Sequence, residues 1–425
     1  MAFQRPTGTE DRLPAQQAAW NYVTERAERI VAQYGYGRID TPTFEETALF
    51  VRGVGEGTDL IEQETYTFAD RGGNRLTLRS EGTAPTMRAY LQDGLQSLPT
   101  PLRLYYVAPI FRYDRPQKGR LREHHQVGLE AIGEADAAMD AEVISVLARL
   151  FREIGLRQVS MQLNSIGDDQ CRPAYLEQLV AYYRPRIDQA CANCHVRLEK
   201  NPLRLLDCKE ERCQPLIAAA PKPVEALCGP CAEHFARLQH LLGLLAVPYT
   251  LNPRLVRGLG YYTRTVFEFY TTERGAQSAL GGGGRYDGLI AELGGRPTPA
   301  VGFGAGIERW LLALEEQGVA VPEEPGPDAY ICHLGVEAQD WALQLATRLR
   351  SAGLRIVTTP GQRKLPAQFR QAEHYRARYA VIIGSEEAAR QVATLRDMTN
   401  KAERRDLTFD ELLRALGSAD AGAGE

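Results

Sequence analysis

The sequence is short of three features that would place it in a specialised class of protein. No apolar run approaches the roughly 18 residues that a transmembrane helix needs, and the first residues, MAFQRPTGTEDRLP, contain no signal-peptide core. Eight cysteines among 425 residues are too few for a disulfide scaffold. The formal net charge of −4 argues against nonspecific coating of nucleic acid, although local basic patches for RNA are compatible with it. We therefore expect a cytoplasmic protein without a membrane partner.

The composition that remains is typical of a globular protein with several domains. Hydrophobic residues make up 44% of the chain and charged residues 24%. A chain of 425 residues is too long for one ordinary hydrophobic core, which predicts two or three domains.

The most informative stretch is residues 103–133, RLYYVAPIFRYDRPQKGRLREHHQVGLEAIG. Two apolar runs flank a loop with several arginines and a lysine, which predicts two antiparallel strands joined by a long hairpin. Gln126, Gly128 and Glu130 alternate along the second strand and therefore share one face. Polar side chains around a glycine indicate a binding face, and the basic loop supplies the charge that a polyphosphate requires. A solvated hairpin with a basic tip is the alternative when the loop is considered alone.

This stretch closely resembles motif 2 of class II aminoacyl-tRNA synthetases, in the form found in histidyl-tRNA synthetases. The positions that match the family pattern FR…RPQKGR…HQ…E are Phe111, Arg112, residues 115–120, His125, Gln126 and Glu130. The resemblance implies an α+β fold, in which an antiparallel catalytic sheet flanked by helices carries a helical insertion and a C-terminal α/β anticodon-binding domain. It also implies a ligase that activates histidine with ATP and transfers it to tRNA(His).

Two segments before the hairpin resemble other elements of the same family. Residues 14–34 have apolar positions at helical spacing and lead into the extended segment RIDTPTFEE. Motif 1 of class II synthetases has this order and builds their dimer interface, so the resemblance implies a homodimer. RSEGTA at residues 79–84 is similar to the family element RPEGT, whose Glu and Thr hold the amino acid. Ser80 stands where the family usually has proline, and helix capping is an alternative role for Thr83.

Three segments nearer the C-terminus complete the resemblance. RGLGYY at residues 257–262 and GGGRYDGL at residues 282–289 are similar to two signatures peculiar to histidyl-tRNA synthetases. Gly260 stands where that family usually has aspartate, which removes one carboxylate near the implied histidine pocket. A dense glycine run considered alone would more often form a flexible turn than a ligand site. Residues 300–309, a predicted strand that meets a helix, resemble class II motif 3, whose arginine binds ATP.

The resemblance implies a pocket that pairs each polar group of histidine. The residues expected to bind histidine are Glu81, Gly82, Thr83, Arg112, Gln126, Glu130, Arg257, Tyr261, Tyr262 and Tyr286. Among them, Glu81, Thr83 and Gln126 would hold the α-ammonium group, while Glu130 and Tyr262 would face the ring nitrogens. Because an unmatched buried polar group is costly, such a pocket can reject amino acids of similar shape.

The resemblance also implies an ATP site in which arginines supply positive charge. The residues expected to bind ATP are Arg112, Asp114, Arg120, His124 and Arg309. Arg112 and Arg257 would be the catalytic residues, because the attack of a carboxylate on the α-phosphate brings two anions together. Arg120 and Arg309 would hold the outer phosphates, bridged by Mg²⁺, and His124 would stack on adenine where the family usually has phenylalanine. Structural ion pairing is an alternative role for each arginine considered singly.

The motifs divide the chain into an interrupted catalytic domain and a C-terminal domain. We expect residues 1–167 and 248–320 to form the catalytic domain and residues 168–247 to form an inserted helical, cysteine-rich domain. The acidic segment EEQGVAVPEEPGP at residues 315–327 predicts a linker, and the alternating strands and helices of residues 328–425 predict the α/β anticodon-binding domain. Five basic residues could give this domain a positive side, with a solvated helix face as the alternative: Arg363, Lys364, Arg370, Arg376 and Arg378.

Seven of the eight cysteines lie in the expected insertion, where their spacing indicates a metal site. Two CxxC pairs are typical of a four-thiolate zinc site, and we expect a structural Zn²⁺ there. The expected ligands are Cys191, Cys194, Cys228 and Cys231. Cys208 and Cys213 lie between the two pairs and His195 follows the first, so other ligand sets remain open, as do free thiols.

One other function fits the same motifs. A regulatory paralogue of the family binds histidine and partners the first enzyme of histidine biosynthesis without charging tRNA. Such paralogues typically lack the anticodon-binding domain and have lost motif arginines. In this sequence the C-terminal segment is present and Arg112, Arg257 and Arg309 all stand, while Gly260 points toward the paralogue. The sequence therefore favours the synthetase.

Overall fold

The protein is described here by a computed structural model, which divides the chain into two compact units. The residues whose structure is described are 3–55, 58, 61, 64–271 and 279–417. The first unit spans residues 1–322 and the second spans residues 323–425. Within the described residues, no helix is both long enough and apolar enough to cross a membrane.

An eight-stranded sheet forms the centre of the first unit. Numbered in chain order and taken from one edge to the other, its strands are β1 (Gly37–Arg38), β5 (Leu102–Phe111), β6 (Glu123–Ile132), β11 (Ala300–Gly306), β10 (Ala279–Arg285), β9 (Thr263–Thr271), β7 (Val159–Ser165) and β8 (Thr250–Leu251). Every pair from β5 to β7 is antiparallel, and the short strands at the two edges pair in parallel. The expected antiparallel sheet is confirmed.

The predicted hairpin is the pair β5 and β6. Strand β6 begins at Glu123, before the apolar run, because residues 123–126 continue the pairing with the end of β5. The glycine run at residues 281–284 lies inside β10 and not in a turn. It forms a strand because β10 pairs on one side with the glycine-containing strand β11 and on the other with β9.

Helices and a smaller sheet surround the large sheet. The strands of the smaller sheet, in spatial order, are β2 (Phe44–Glu46), β4 (Arg75–Leu78) and β3 (Thr67–Ala69). The α-helices described in this unit include α1 (Pro14–Gln33), α2 (Thr47–Val54), α3 (Thr83–Gln92), α4 (Ala137–Glu153), α5 (Arg172–Tyr183), α6 (Ala192–Lys200), α7 (Gln214–Ala219), α8 (Gly229–Leu244), α9 (Leu289–Glu292) and α10 (Ile307–Glu316).

One face of the large sheet is buried beneath four helices. Helices α1, α4, α8 and α10 contribute Ile30, Phe151, Leu238 and Trp310 to one apolar core, together with Leu129 of β6. Side chains alternate along a strand, so the even-numbered residues of β6 point to the opposite face. That face carries the polar residues that the sequence placed together.

The insertion does not separate from the first unit. Helices α5, α6 and α7 and several short 3₁₀ helices make residues 168–228 helical, as expected. Helix α8, which ends the insertion, packs against α4 and places Phe235 and Leu242 in the core beneath the sheet. The last helix of the insertion is therefore part of the apolar core beneath the large sheet.

The second unit is a five-stranded mixed sheet with helices. In spatial order its strands are β13 (Ile356–Thr358), β12 (Ala329–His333), β14 (Tyr379–Ile383), β15 (Ala393–Asp397) and β16 (Glu403–Leu407). Its helices are α11 (Val336–Ser351), α12 (Leu365–His374), α13 (Ser385–Arg390) and α14 (Phe409–Gly417). The predicted α/β architecture is confirmed. The sequence did not indicate β16, because this edge strand is almost entirely exposed and lacks apolar alternation.

Candidate active site

A cavity of about 310 Å³ opens on the polar face of the large sheet. The predicted site residues that line it are Glu81, Gly82, Thr83, Arg112, Asp114, Arg120, His124, Gln126, Arg257, Tyr261, Tyr262 and Arg309. The remaining two, Glu130 and Tyr286, are fully buried and are joined through Glu130 to the lining residue Thr83. Segments that are far apart in the sequence therefore meet at one place.

Glycines make the floor of the cavity flat. A Cβ on Gly302 of β11 would collide with the carboxyl group of Glu130. A Cβ on Gly282 of β10 would lie 3.0 Å from Nη1 of Arg257 and 2.6 Å from a backbone oxygen of β9. Side chains at these positions would displace the two charged groups, so the glycine-rich strands are what let those groups lie close to the sheet.

Glu81 is buried at the start of α3 and caps that helix. Its carboxylate accepts hydrogen bonds from the backbone N–H of Thr83 at 2.7 Å and of Ala84 at 2.8 Å. Burial raises the pKa of Glu81 in spite of these bonds. Capping is therefore performed by Glu81, whereas the hydroxyl of Thr83 donates to Glu130 at 2.7 Å. A carboxylate held in this way presents a negative group that suits an ammonium ligand.

Glu130 is a fully buried carboxyl group beneath the cavity. The hydroxyls of Thr83 and Tyr286 donate to its two oxygens. Burial raises the pKa of Glu130 to about 8, and the nearby carboxylate of Glu81 adds to this rise. The group therefore keeps its proton at neutral pH. A protonated carboxyl can donate as well as accept, so it can match either nitrogen of a neutral imidazole.

A Glu130→Gln variant should have a flatter pH dependence of stability than the wild type between pH 5 and pH 8. In this window the folded wild type keeps a proton on Glu130, whose pKa is about 8, that the unfolded chain has already released. The unfolding free energy of the wild type should therefore fall as pH rises, by at most about 1.4 kcal/mol per pH unit for one such group. Glutamine does not ionise, so the variant should gain stability relative to the wild type toward pH 8.

Thermal unfolding midpoints of both proteins at several pH values measure this difference. Glu315→Gln changes an exposed carboxylate at the end of α10 and serves as the matched control. A difference between Glu130→Gln and the wild type that stays constant with pH would mean that Glu130 ionises near its ordinary pKa in the folded protein.

Three arginines gather on the ATP side predicted from the sequence. Arg112 donates through Nε to the carbonyl oxygen of Ser80 at 2.8 Å. Arg309 donates to two backbone carbonyls at 3.1 and 2.8 Å. Burial lowers the pKa of Arg309, and the positive charges of Arg112 and Arg120 lower it further. Cations that repel one another inside a cavity favour a ligand with several negative charges.

The other two residues of the expected ATP site are Asp114 and His124. Asp114 accepts a close hydrogen bond from Arg120, so its carboxylate orients that guanidinium. Burial, together with the charges of Arg112 and Arg309, lowers the pKa of His124 to about 3. The imidazole of His124 is therefore neutral at pH 7.

Arg257 lies in the loop before β9 and forms a close ion pair with Glu268 of that strand. Burial acts to lower the pKa of Arg257, but the carboxylate of Glu268 outweighs it and raises the pKa above its ordinary value. The hydroxyl of Tyr270 also donates to Glu268. The Nε of Arg257 is buried and has no hydrogen-bond partner among the described residues. A charged guanidinium with an unmatched donor suits an anionic oxygen of a ligand.

Gly260, which departs from the family pattern, packs against the end of α2. Its N–H donates to the carbonyl oxygen of Val54 at 2.9 Å, and a Cβ at this position would lie 2.8 Å from the same oxygen. An aspartate would therefore require the loop to move away from Val54. Glycine at position 260, where the family usually has aspartate, thus allows this loop to lie in close contact with α2.

Tyr106, Glu268 and Arg204 are among the residues that line the cavity but were not indicated by the sequence. Tyr106 belongs to the apolar run of β5, and only the strand register, which places it opposite Gly128, shows that it faces the site. Glu268 reads as one charged position in an otherwise apolar strand. Arg204 comes from the insertion, and its Nη1 would lie 2.9 Å from a Cβ on Gly258. No sequence signal connected the insertion with the cavity.

The cysteines of the insertion form two groups, and not the expected one. Group I consists of Cys191, Cys194, Cys208 and Cys213, and group II consists of Asp168, Cys171, Cys228 and Cys231. Within each group the sulfur and carboxylate ligand atoms all lie within 4.8 Å of one another. The predicted set of Cys191, Cys194, Cys228 and Cys231 is therefore not one of the groups that the described structure brings together. The fold brings Cys208 and Cys213 to the first pair and Asp168 and Cys171 to the second, and His195 belongs to neither group.

Comparison with protein families covers both units. A family model described as histidyl-tRNA synthetase matches residues 8–167 and 198–310. A second model, described as an anticodon binding domain, matches residues 328–418. The interval between the two matches of the first model contains three of the clustered cysteines.

Similar proteins extend over nearly the whole chain. The curated histidine--tRNA ligase of Dehalococcoides mccartyi is 51% identical over 411 residues, which cover 97% of this chain and 98% of that protein. The histidine--tRNA ligase of Pelotomaculum thermopropionicum is 46% identical, with 98% of each chain covered. The crystal structure of the apo histidyl-tRNA synthetase of S. aureus superposes with a TM-score of 0.83 at 34% identity, covering 98% of this chain and 100% of that one.

A structure described as an ATP phosphoribosyltransferase regulatory subunit/histidyl-tRNA synthetase from Bacillus halodurans C shares the fold, with a TM-score of 0.65 at 23% identity. The histidine--tRNA ligases are more similar to this chain than that structure is, in both sequence identity and the share of this chain covered. Together with the matched family model and the residues that the fold gathers around the cavity, they show that the chain belongs to the histidyl-tRNA synthetase family.

Proposed function

We infer that the chain is a histidine–tRNA ligase, which activates histidine with ATP and transfers it to tRNA(His). The observation that carries this conclusion is the meeting of two carboxyl groups, Glu81 and Glu130, with three guanidinium groups, Arg112, Arg257 and Arg309, in and beneath one cavity. The carboxylate of Glu81 suits the ammonium group of an amino acid, the protonated carboxyl group of Glu130 suits a neutral imidazole, and the arginines suit a polyphosphate. Curated histidine–tRNA ligases match the chain over almost its full length.

The first step joins histidine to the adenylate. An oxygen of the histidine carboxylate attacks the α-phosphorus of ATP, and the bond from that phosphorus to the pyrophosphate oxygen breaks. Negative charge increases on the oxygens around the α-phosphorus, where preorganised cations are most effective. We assign Arg112 and Arg257 to this charge, and Arg120 and Arg309 to the phosphates that leave. Asp114 orients Arg120, and the neutral ring of His124 is assigned to the adenine.

Recognition of histidine uses a carboxylate for the ammonium group and uncharged hydrogen-bonding groups for the ring. We assign Glu81, Thr83 and Gln126 to the α-ammonium group, and Glu130 with Tyr262 to the imidazole. The remaining histidine-binding positions are assigned as expected from the sequence: Gly82, Tyr261 and Tyr286. The bonds from Thr83 and Tyr286 hold the carboxyl group of Glu130 in place before the ligand arrives. A preorganised polar pocket of this kind discriminates against side chains that cannot complete its hydrogen bonds.

The second step transfers histidine to tRNA. A ribose hydroxyl at the end of the tRNA attacks the carbonyl carbon of histidyl-adenylate, and AMP leaves. We assign anticodon binding to the second unit, which matches a family model of that description. The basic residues predicted to form its positive side are all exposed, as phosphate contacts require: Arg363, Lys364, Arg370, Arg376 and Arg378.

Mg²⁺ would accompany ATP, as is general for class II synthetases. Glu268 and Glu308 both line the cavity, but Glu268 is paired with Arg257 and Glu308 accepts hydrogen bonds from His125. Both carboxylates are thus engaged with protein groups, so the donor set fits an ion that would take most of its ligands from phosphates and water. The ion would neutralise charge on the phosphates.

Two further features of the enzyme remain proposals. We propose a homodimer, because the segment that resembles motif 1 leaves Phe44 half exposed, where it contacts the partly exposed Phe68 on the small sheet. Exposed aromatic pairs of this kind are common in protein interfaces. The cytoplasmic location expected from the sequence stays a prediction.

Exchange of labelled pyrophosphate into ATP tests the proposed function in the intact chain. The exchange should require histidine, should not occur with glutamine as the amino acid, and should be accompanied by charging of tRNA(His). A protein that binds histidine but supports neither reaction would be a regulatory histidine-binding protein and would contradict the assignment. The intact second unit and the arginines that line the cavity lead us to expect the ligase.

A further inference from the structure

Group I brings together four buried thiols from two parts of the insertion. The Sγ atoms of Cys191 and Cys208 are 3.6 Å apart, and those of Cys194 and Cys213 are 3.9 Å apart. A disulfide requires about 2.05 Å between sulfurs, so these pairs are not bonded. Four sulfurs placed tetrahedrally at about 2.3 Å from one zinc ion are separated by about 3.8 Å. The observed separations match that arrangement.

Group II combines three thiols with the carboxylate of Asp168. Oδ1 of Asp168 lies 3.5 Å from Sγ of Cys171 and 3.9 Å from Sγ of Cys228. In a tetrahedral zinc site an oxygen and a sulfur ligand are about 3.6 Å apart. Oδ2 of the same carboxylate accepts hydrogen bonds from Arg264 at 3.2 and 3.4 Å. One oxygen thus faces the thiols while an arginine fixes the other, as is usual for metal-ligating carboxylates.

We propose that each group binds one structural zinc ion, so that the chain carries two. One site has four cysteine ligands, and the other has three cysteines and Asp168. Thiolate-rich tetrahedral sets select zinc over Mg²⁺ and Ca²⁺, which prefer oxygen ligands in larger coordination shells. Both ligand sets are complete without a water molecule, which is the mark of a structural and not a catalytic site.

The positions of the two groups explain what the ions would stabilise. The cysteines of group I lie at the start of α6 and in the segment between α6 and α7. This segment consists mainly of two short 3₁₀ helices, Pro202–Asp207 and Glu211–Cys213. Group II joins the first residues of the insertion, which follow β7, to the first turn of its last helix, α8. A metal ion supplies folding free energy where regular structure is sparse. The first ion would hold the interior of the insertion, and the second would fasten it to the catalytic sheet.

Metal analysis of the intact chain, purified under reducing conditions without chelators, tests this proposal. The wild type should contain two zinc ions per chain. Cys213→Ala and Cys231→Ala should each lose one ion and keep the other, and the double variant should lose both. Cys332→Ala is the matched control, because Cys332 is a buried cysteine of the second unit outside both groups. It should retain two ions.

These readouts do not depend on aminoacylation and separate the proposal from its alternatives. The proposal would be overturned if the wild type contained one ion per chain and the Cys213→Ala variant still bound it. That result would instead support one site shared by the two CxxC pairs. Absence of metal, thiols that react with alkylating agents only after reduction, or iron in place of zinc would also overturn the proposal.

Cobalt titration keeps the proposal testable if the alanine variants fail to fold. Wild-type protein refilled with Co²⁺ should show thiolate charge-transfer absorption that saturates at two equivalents, with different ligand-field bands for the two sites. Saturation at one equivalent would contradict two independent sites.

Discussion

An Arg257→Ala variant is expected to lose histidine-dependent pyrophosphate exchange by about a hundredfold or more while remaining folded. The guanidinium of Arg257 stays charged because Glu268 faces it, and its buried Nε has no partner among the described residues. Arg257 lines the cavity, and in the proposed reaction its positive charge would stabilise an oxygen that gains charge in the transition state. Exchange rates at saturating ATP and histidine, together with a thermal unfolding midpoint, measure the two parts of this expectation.

Removing Arg257 also leaves the carboxylate of Glu268 without its ion pair, so a control must separate the two effects. The double variant Arg257→Ala/Glu268→Gln removes the unpaired charge as well as the arginine. If Arg257 acts on the transition state, this double variant should remain slow. Recovery of nearly normal exchange would show that Arg257 serves mainly to pair with Glu268. Arg254→Ala changes an exposed arginine three residues earlier and should exchange at the wild-type rate.

The second large effect is expected from ending the chain after Pro322. The resulting fragment should still exchange pyrophosphate with histidine, because all the assigned cavity residues lie in the first unit and its apolar cores use only residues of that unit. Transfer of histidine to tRNA should fall by about a hundredfold or more in kcat/KM, since the loss of several phosphate contacts weakens binding at least that much. Parallel exchange and charging assays measure the separation of the two activities.

A charge variant of the intact chain is the matched control for the fragment. Arg363→Glu together with Lys364→Glu should reduce charging and tRNA affinity without changing exchange, because both residues are exposed on the second unit. The tRNA affinity of the intact protein should also decrease more steeply with salt than that of the fragment. If the fragment charged tRNA at the full rate, the assignment of tRNA binding to the second unit would be wrong. Loss of exchange would instead mean that the first unit does not function alone.

The parts of the site that the sequence predicted depend on local regularities. In β6 the period of two places Gln126, Gly128 and Glu130 on one face whatever the neighbouring strands are. The predicted hairpin is likewise present, because its apolar runs and turn residues are adjacent in the chain. The resemblance to the family added the roles of residues that no periodicity could assign, such as Arg112 and Arg309.

The parts that the sequence did not predict depend on contacts between distant segments. The spacing of Cys191 and Cys194 shows that they can share an ion, but the path of the chain decides that Cys208 and Cys213 complete the set. Asp168 carries no local sign of a metal ligand. Tyr106 reads as a core residue until the register places it opposite Gly128, where a larger residue would collide with its ring.

The contact between Arg204 and the cavity has a consequence for protein engineering. Arg204 lies in the 3₁₀ helix Pro202–Asp207, directly before a group I cysteine, and its guanidinium reaches the loop that carries Arg257. An exchange of the insertion between two relatives would therefore exchange part of the cavity wall as well. The affinities of such chimeras for ATP and histidine would depend on the relative that supplies the insertion. The insertion therefore cannot be exchanged without affecting ligand binding.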